Sequence, residues 1–428
     1  MQRQDVVVIG AGLAGLRCAV ELTSQGRAVV VLEAADHVGG RQRTDRVDGF
    51  TLDRGFHVLN TAYPAVRAAV DVEGLGVAPF PTAVRVRRGD GSMATLAHPL
   101  RHPRLLPATL AGGLVTARDL AGLVRWLAPI ALRPRATVAG PDRTLADGWG
   151  AAELTGPLRT EVLSPFFSGV LADASESTSD TYVRLLARSF LPAAAGLPRR
   201  GIAALPMALA SRARAAGADI RLGRPVGRLR RRGDRWEVEV RDGDPMLARD
   251  VVVAVGAEAL DGLVDVPAPA TRGLQTWWFA ADEAPASAFL TLDGTREGPI
   301  VNALAISATI PEAAPPGRHL IQATCLWAQE RSASESEVRA QLVRLYGRDA
   351  ESWQLLRRDD IPHALPALPP PMRRPSPARV GPGLHLAGDH RETPSIQGAL
   401  YSGLRAARSV LAGLAGQPSS PAPRKARS

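Results

Sequence analysis

Lysine is almost missing from this 428-residue chain: of its 52 basic side chains only Lys425 is a lysine, and the rest are arginine. Cysteine occurs twice and aromatic residues make up 4%. No uninterrupted apolar run reaches the roughly 20 residues that a membrane-crossing helix needs. Each scarcity excludes something. Cys18 and Cys325 stand far apart, with neither metal-ligand nor redox spacing, and this usage suits a reducing compartment. No charged-then-apolar segment opens the chain, because strand patterning begins within a few residues of Met1, so a cytoplasmic protein is expected. The formal net charge of +10 would suit nucleic acid. The basic residues are scattered, however, and the one dense run, Arg228, Arg230, Arg231 and Arg232, falls in a hairpin pattern whose default is a solvated face. With Ala, Gly and Pro abundant alongside Arg, the charge reads as coding bias, and no nucleic-acid partner is expected.

What remains is ordinary globular composition, 45% hydrophobic and 22% charged, with enough chain for two lobes. Residues 5–9 form a β-branched run typical of a buried parallel strand. Residues 10–15 are a turn, 13–24 have helical apolar spacing that stops at Gly26, and 28–32 are a second strand, so the chain opens with a βαβ unit. From 79 to 192 strand patterning gives way to helix-length segments rich in Leu, Ala and Arg. Strand patterns return at 218–222, 225–229, 236–240 and 248–255, then at 275–279, 289–292 and 320–327. Residues 335–346 are an amphipathic helix, 384–387 a last strand and 398–414 a last helix. Residues 417–428, rich in Pro, Ser and basic side chains, are expected to be a disordered tail.

Gly10, Gly12 and Gly15, with Ala11, Leu13 and Ala14 between them, form Gly-x-Gly-x-x-Gly. Alone such a triplet is a weak signal. Here it follows a predicted strand and opens a predicted helix, and Glu33 closes the second strand about twenty residues on. Gly10 permits the tight turn, Gly12 lets the backbone approach a pyrophosphate, and Gly15 lets helix and strand pack closely. The helix start offers unpaired N–H groups and a positive dipole end to phosphates. Glu33 is placed to accept a hydrogen bond from a ribose hydroxyl, and its charge disfavours a 2′-phosphate. The segment reads as a dinucleotide site, against the competing view of a glycine turn with no ligand.

Glu33 is followed by Ala34, Ala35, Asp36, His37, Val38, Gly39, Gly40 and Arg41, and residues 384–407 read LHLAGDHRETPSIQGALYSGLRAA. Both stretches resemble motifs of the superfamily that contains flavin amine oxidases, protoporphyrinogen oxidases and phytoene desaturase-like enzymes. The resemblance implies FAD as cofactor and an α/β fold, a Rossmann-type FAD-binding domain with an interleaved α+β substrate domain. It implies that Ala34, Gly40 and Arg41 lie near the cofactor and that Gly55 and Phe56 run toward the flavin face. Asp389, after Gly388, would bond the ribityl or phosphate region. Ser395 and Ile396 would open a helix whose positive end faces the flavin. Residues 197–210 resemble a family Pro-x-Gly-Gly stretch, with Arg200 where glycine is common. Val226 begins the strand that in the family contacts the adenine through its backbone. On this basis 1–78, 195–265 and 380–416 make the FAD-binding domain, and 79–194 and 266–379 the substrate domain.

Amine oxidases of this superfamily keep a lysine near the flavin and an aromatic cage in front of it. Here the one lysine is in the tail, Ser395 stands where Tyr is usual, and no cysteine near Asp389 offers a covalent link. Ser395-Ile396-Gln397-Gly398-Ala399 instead resembles desaturase-type members. The expected function is an FAD-dependent oxidoreductase, with non-covalent flavin, that takes hydride from an apolar isoprenoid- or porphyrinogen-like molecule. Two alternatives stay open: an amine or amino-acid oxidase, and a dinucleotide-binding protein without turnover. His57 is the candidate catalytic residue, against a role as a partner within its own turn; flavin dehydrogenation often needs no strong base. Trp277 and Trp278 either line a pocket or are core. The helix around Arg118–Trp126 either lies on an anionic membrane surface, as such regions do in related enzymes, or packs in the substrate lobe. No metal is expected.

Overall fold

Val6, Val7, Val8 and Ile9 are all buried, a pattern that the middle of a doubly covered parallel sheet produces. In the computed structural model, which describes residues 3–190, 195–241, 243–327, 332–372 and 375–415, this strand takes that position. The tail expected at 417–428 lies outside the described residues. Arg3–Ile9 runs parallel to Val29–Leu32 on one side and to Met246–Val253 on the other. The full order is Asp219–Arg221, Val29–Leu32, Arg3–Ile9, Met246–Val253, Arg235–Val240, Val226–Arg232. Leu384–Leu386 also pairs parallel to Met246–Val253, through Val251 to Val253. Ile9, Leu32, Val253 and Leu386 therefore end on one edge of the sheet, where ligands of such folds bind. The first helix, Leu13–Ser24, packs against Ala204–Ala215 and the last helix, Ile396–Ala415. Gly403 makes the latter crossing close, since any Cβ there would strike the Ala14 carbonyl.

A second sheet follows the order Gln354–Pro366, Thr271–Ala281, His319–Trp327, Ile300–Ala305, Leu290–Asp293, Ala83–Arg87, Met93–Ala97. One face lies under the helix Glu335–Tyr346, where Trp277, Phe279, Ile321, Ala323 and Cys325 join Val338 and Leu342 in a core. Trp277 and Trp278 are both buried, on opposite faces of their strand. Cys18 and Cys325 are buried and unpaired, and burial pushes both thiols up.

The helix-rich stretch expected from 79 to 192 begins differently. Its first part is a hairpin, Ala83–Arg87 with Met93–Ala97, that extends the second sheet. The alternation Ala-Val-Arg-Val-Arg is short, and its arginines are half-buried, so it carries little apolar signal. Helices occupy most of 106–190. Strands Ile300–Ala305 and Gln354–Pro366 also went unread. In the latter, Arg357, Arg358, Asp359 and Asp360 mask the alternation; each arginine pairs with the aspartate two residues on, along one face.

Candidate functional site

The glycine turn follows from steric needs. Gly10 has φ +102° and donates its N–H to the Leu32 carbonyl at 2.7 Å. Gly15 leaves no room for a Cβ, which would collide with the Gly10 carbonyl. Gly12 is different: a Cβ there meets nothing within 4 Å, and no side chain caps the helix that it opens. The turn thus holds an open cradle at a helix N-terminus, the place for a phosphate. Ala11, Leu13 and Ala14 are buried beneath it. Gly39 donates to the Ala11 carbonyl at 2.8 Å, and Gly40, at φ +58°, lies against Gly12.

Glu33 binds both sides of this turn. Its Oε2 accepts from Ala11 N at 2.6 Å and its Oε1 from Ala35 N at 2.9 Å. Each oxygen keeps a further lone pair for a ribose hydroxyl. Ala34 is exposed between them. Arg224 N donates to the Glu33 carbonyl at 2.7 Å and Gly223 N to the Ala35 carbonyl at 2.8 Å, which carries the half-buried Val226 to the same end of the sheet.

Arg41 then joins the two ends of the chain. Its Nη2 donates to Asp389 Oδ1 at 2.6 Å and its Nη1 to the Ala364 carbonyl at 2.8 Å. Burial works against the guanidinium's charge, but the Asp389 carboxylate raises its pKa above the usual value. Gly388 N donates to Ser402 Oγ at 3.1 Å, which fixes the strand end to the last helix. Ser395 Oγ accepts from Gly398 N at 3.0 Å, an N-cap on the helix that Ile396 begins.

Gly55, at φ +107°, stands against Ile361 Cδ1, and Phe56 is half-buried against the core. His57 is half-buried. Its Nε2–H donates to the Arg54 carbonyl at 2.9 Å, within its own turn. Burial pushes the imidazole below its usual pKa and the nearby Asp53 carboxyl above its own. Asp53 is held by Thr44 Oγ1 at 2.6 Å and Ile202 N at 3.1 Å. His390 is a feature that sequence reasoning missed. It is buried beside Asp389, neither ring nitrogen has a protein partner, and burial pushes it down to about 4. Its one sequence signal was its place after Asp389. Trp277 faces the helix Glu335–Tyr346 and lines no part of this site.

The profile of the "flavin containing amine oxidoreductase" family matches residues 13–411. The chain belongs to this family. As a flavin containing amine oxidoreductase it has FAD as its cofactor, and the cradle at Gly12 and the free lone pairs of Glu33 fit a dinucleotide. It is 31% identical to a phytoene dehydrogenase of Streptomyces griseus over 277 residues, 58% of this chain and 53% of that protein. It is 47% identical to a putrescine oxidase of Kocuria rosea over 72 residues, 17% of this chain and 15% of that one. The matched stretches thus span about half or less of these curated relatives. An oxidoreductase of Methanosarcina mazei shares the fold, with TM-score 0.70 and 19% identity over 96% of this chain and 100% of that one. Among the described residues no helix is long and apolar enough to cross a membrane, and no cluster of side chains could hold a metal ion.

Proposed function

We propose that this flavin containing amine oxidoreductase is an FAD-dependent oxidoreductase that takes hydride from a small molecule with an apolar, isoprenoid- or porphyrinogen-like body. The observation that carries this reading is the 2.6 Å bond between Arg41 and Asp389, which gathers both flavin-type motifs at one sheet edge. In this reading residues 1–78, 195–265 and 380–416 form the cofactor domain, and 79–194 and 266–379 the substrate domain. Gly10 to Gly15 hold the pyrophosphate, and Glu33, Ala34 and Val226 hold the adenosine. Gly40, Arg41, Gly55, Phe56, Gly388, Asp389, Ser395 and Ile396 hold the remainder. Bound flavin supplies the hydride acceptor. The protein side supplies position and exclusion of water, since His57 is already engaged with Arg54.

The test is the visible spectrum of the purified protein, then of the supernatant after heating. Twin flavin bands that move to the supernatant are expected; a colourless protein that takes up no added FAD would sink the proposal. Bleaching of those bands in air-free solution by isoprenoids, and not by putrescine or amino acids, separates this reading from an amine or amino-acid oxidase. Bound flavin that neither dithionite nor light reduces would favour a protein without turnover.

The same reading includes peripheral contact with an anionic membrane. Of the exposed large apolar side chains among the described residues, all but Met207 and Tyr401 lie between Leu100 and Val138. Leu100 is 87% exposed, Leu132 79% and Leu110 74%. Between 98 and 141 the chain carries six arginines and one acid, Asp119, which is buried in the capping box of helix Ala117–Leu132. Trp126 and Ile130 face the core while Leu120 and Val124 face outward, so the helix is apolar on both sides. Apolar protrusions ringed by arginine fit an acidic lipid surface. Sedimentation with acidic vesicles at low salt is expected, with loss in the Leu110→Glu, Leu132→Glu double variant. No pelleting of the wild type would exclude the membrane.

A further inference from the structure

We propose that the substrate also carries an uncharged hydrogen-bonding end, a hydroxyl, carbonyl or amide, which a buried polar band on the second sheet recognises. The proposal rests on the flavin-site reading above. The strand register defines the band. Asp359, Thr276, Thr324 and Asn302 stand directly opposite one another on four neighbouring strands. Arg357, Trp278, Gln322 and Leu304 form the next row. Opposed residues and residues two apart share a face, so both rows point the same way.

Thr276, Gln322 and Thr324 are fully buried, and Asn302 and Trp278 are 2% exposed. Gln322 Nε2 donates to Thr324 Oγ1 at 2.6 Å. Beyond that, Thr276 Oγ1, Trp278 Nε1, Asn302 Oδ1, Gln322 Oε1 and Arg357 Nη2 have no partner in the protein. Native proteins leave few such atoms, and five within two rows of one sheet point to an occupant. The opposite face is treated differently. There Gln275 satisfies both ends, through Asp360 Oδ1 at 2.7 Å and Ala333 N at 2.9 Å, and Trp277 Nε1 is the one orphan of these strands among the described residues.

The band adjoins the flavin motifs. Two residues along from Thr276, Leu274 opposes Ile361, the side chain that meets Gly55, and the Ala364 carbonyl further along holds Arg41. At the far end Gly169, in the helix Ser164–Leu171, lies over Asn302, and any Cβ there would strike its amide. The ligand's charge follows from Arg357. Its Nε donates to Asp359 at 2.8 Å and its Nη1 to Asp45 at 2.9 Å, so the guanidinium is matched already. Two amides, a hydroxyl, an indole N–H and one guanidinium N–H suit a neutral group that both donates and accepts. A hydrocarbon end would leave every one of them unpaired.

The experiment uses the FAD-loaded enzyme and two probes of one skeleton, farnesol and farnesene, with perturbation of the flavin bands as the signal. The alcohol is expected to bind about tenfold more tightly than the alkene. Thr276→Val and Gln322→Met should each erase that preference; Thr276→Val, which removes an orphaned hydroxyl and no bond, should also keep or raise the melting temperature, whereas Gln322→Met gives up the bond to Thr324 as well. Equal binding of the two probes, or response to neither, overturns the proposal. So do variants that melt lower and keep the preference, which would make the band a seat for structural water. A protein that takes up no FAD fails one step earlier, in the flavin-site reading, and is told apart by its missing bands.

Discussion

The two walls of this site are made by different means. On the cofactor side the backbone does the shaping: Gly10, Gly39 and Gly40 adopt positive φ, and both Glu33 oxygens are met by main-chain N–H groups. On the second sheet regular strands present side chains, and Thr276, Trp278, Asn302, Gln322 and Arg357 each leave an atom unpaired. A backbone site restricts its residues severely, because only glycine fits such turns without strain. A sheet site restricts them little, because Thr, Gln, Asn and Trp occur in ordinary strands. The first wall tolerates almost no substitution, while the second trades stability for recognition.

The sharpest way to break this contrast is at Gly15. Gly15→Val places atoms into the Gly10 carbonyl, and flavin absorbance in the purified protein is expected to vanish. Gly12→Ala faces open space and should keep the fold while weakening FAD uptake. A Gly15→Val protein with full flavin content would refute a backbone-made wall.

The next effect is on pH. Burial holds His390 near 4 when folded, against about 6.5 unfolded, so the folded state favours the neutral ring. The unfolded chain binds the proton first as pH falls. His390 stability is therefore complete above about pH 6.5 and is lost toward pH 4, by up to about 3 kcal/mol. Urea unfolding between pH 4 and 8 should show this slope, and His390→Asn should flatten it.

Asp389→Asn leaves Arg41 without its counter-charge. A loss of roughly 1.5–3 kcal/mol, or about ten- to a hundredfold in FAD dissociation constant, is expected by flavin fluorescence titration. The smallest effect falls on the cap. Ser395→Ala should cost about 1 kcal/mol in thermal unfolding and leave FAD stoichiometry unchanged. If the two variants changed places in rank, helix capping rather than the ion pair would organise the C-terminal motif.

The same contrast explains what was legible in the sequence. The opening strand, turn and helix were readable because 3.6-residue and β-branched patterns there agree with the glycine spacing. The helix Glu335–Tyr346 was equally plain from its amphipathic spacing, and the structure adds the Ser334 cap. The hairpin Ala83–Arg87 and Met93–Ala97 was not, since its strands are only five residues each and two arginines interrupt the first. Gln354–Pro366 was hidden by four consecutive charged residues, which neutralise one another two apart along each face. The band of Thr276, Asn302 and Gln322 left no trace in one dimension, because it exists only through pairing of strands far apart in the chain. His390 was invisible for another reason: its unpaired nitrogens depend on what surrounds it, and no spacing rule encodes that.

The bond between Arg41 and Asp389 spans 348 residues, and that distance is also a delay. At roughly 5–20 residues per second, the ribosome releases the glycine turn some tens of seconds before the strand that completes its surroundings exists. Through the first part of that interval Arg3–Ile9 lacks Met246–Val253, and through all of it the last helix, so an apolar strand edge waits bare until its partner is made. FAD meets a finished seat only once Asp389 and the last helix have emerged. The nascent protein thus depends on whatever shields that edge, and added flavin should raise the yield of released chains while doing nothing for stalled ones.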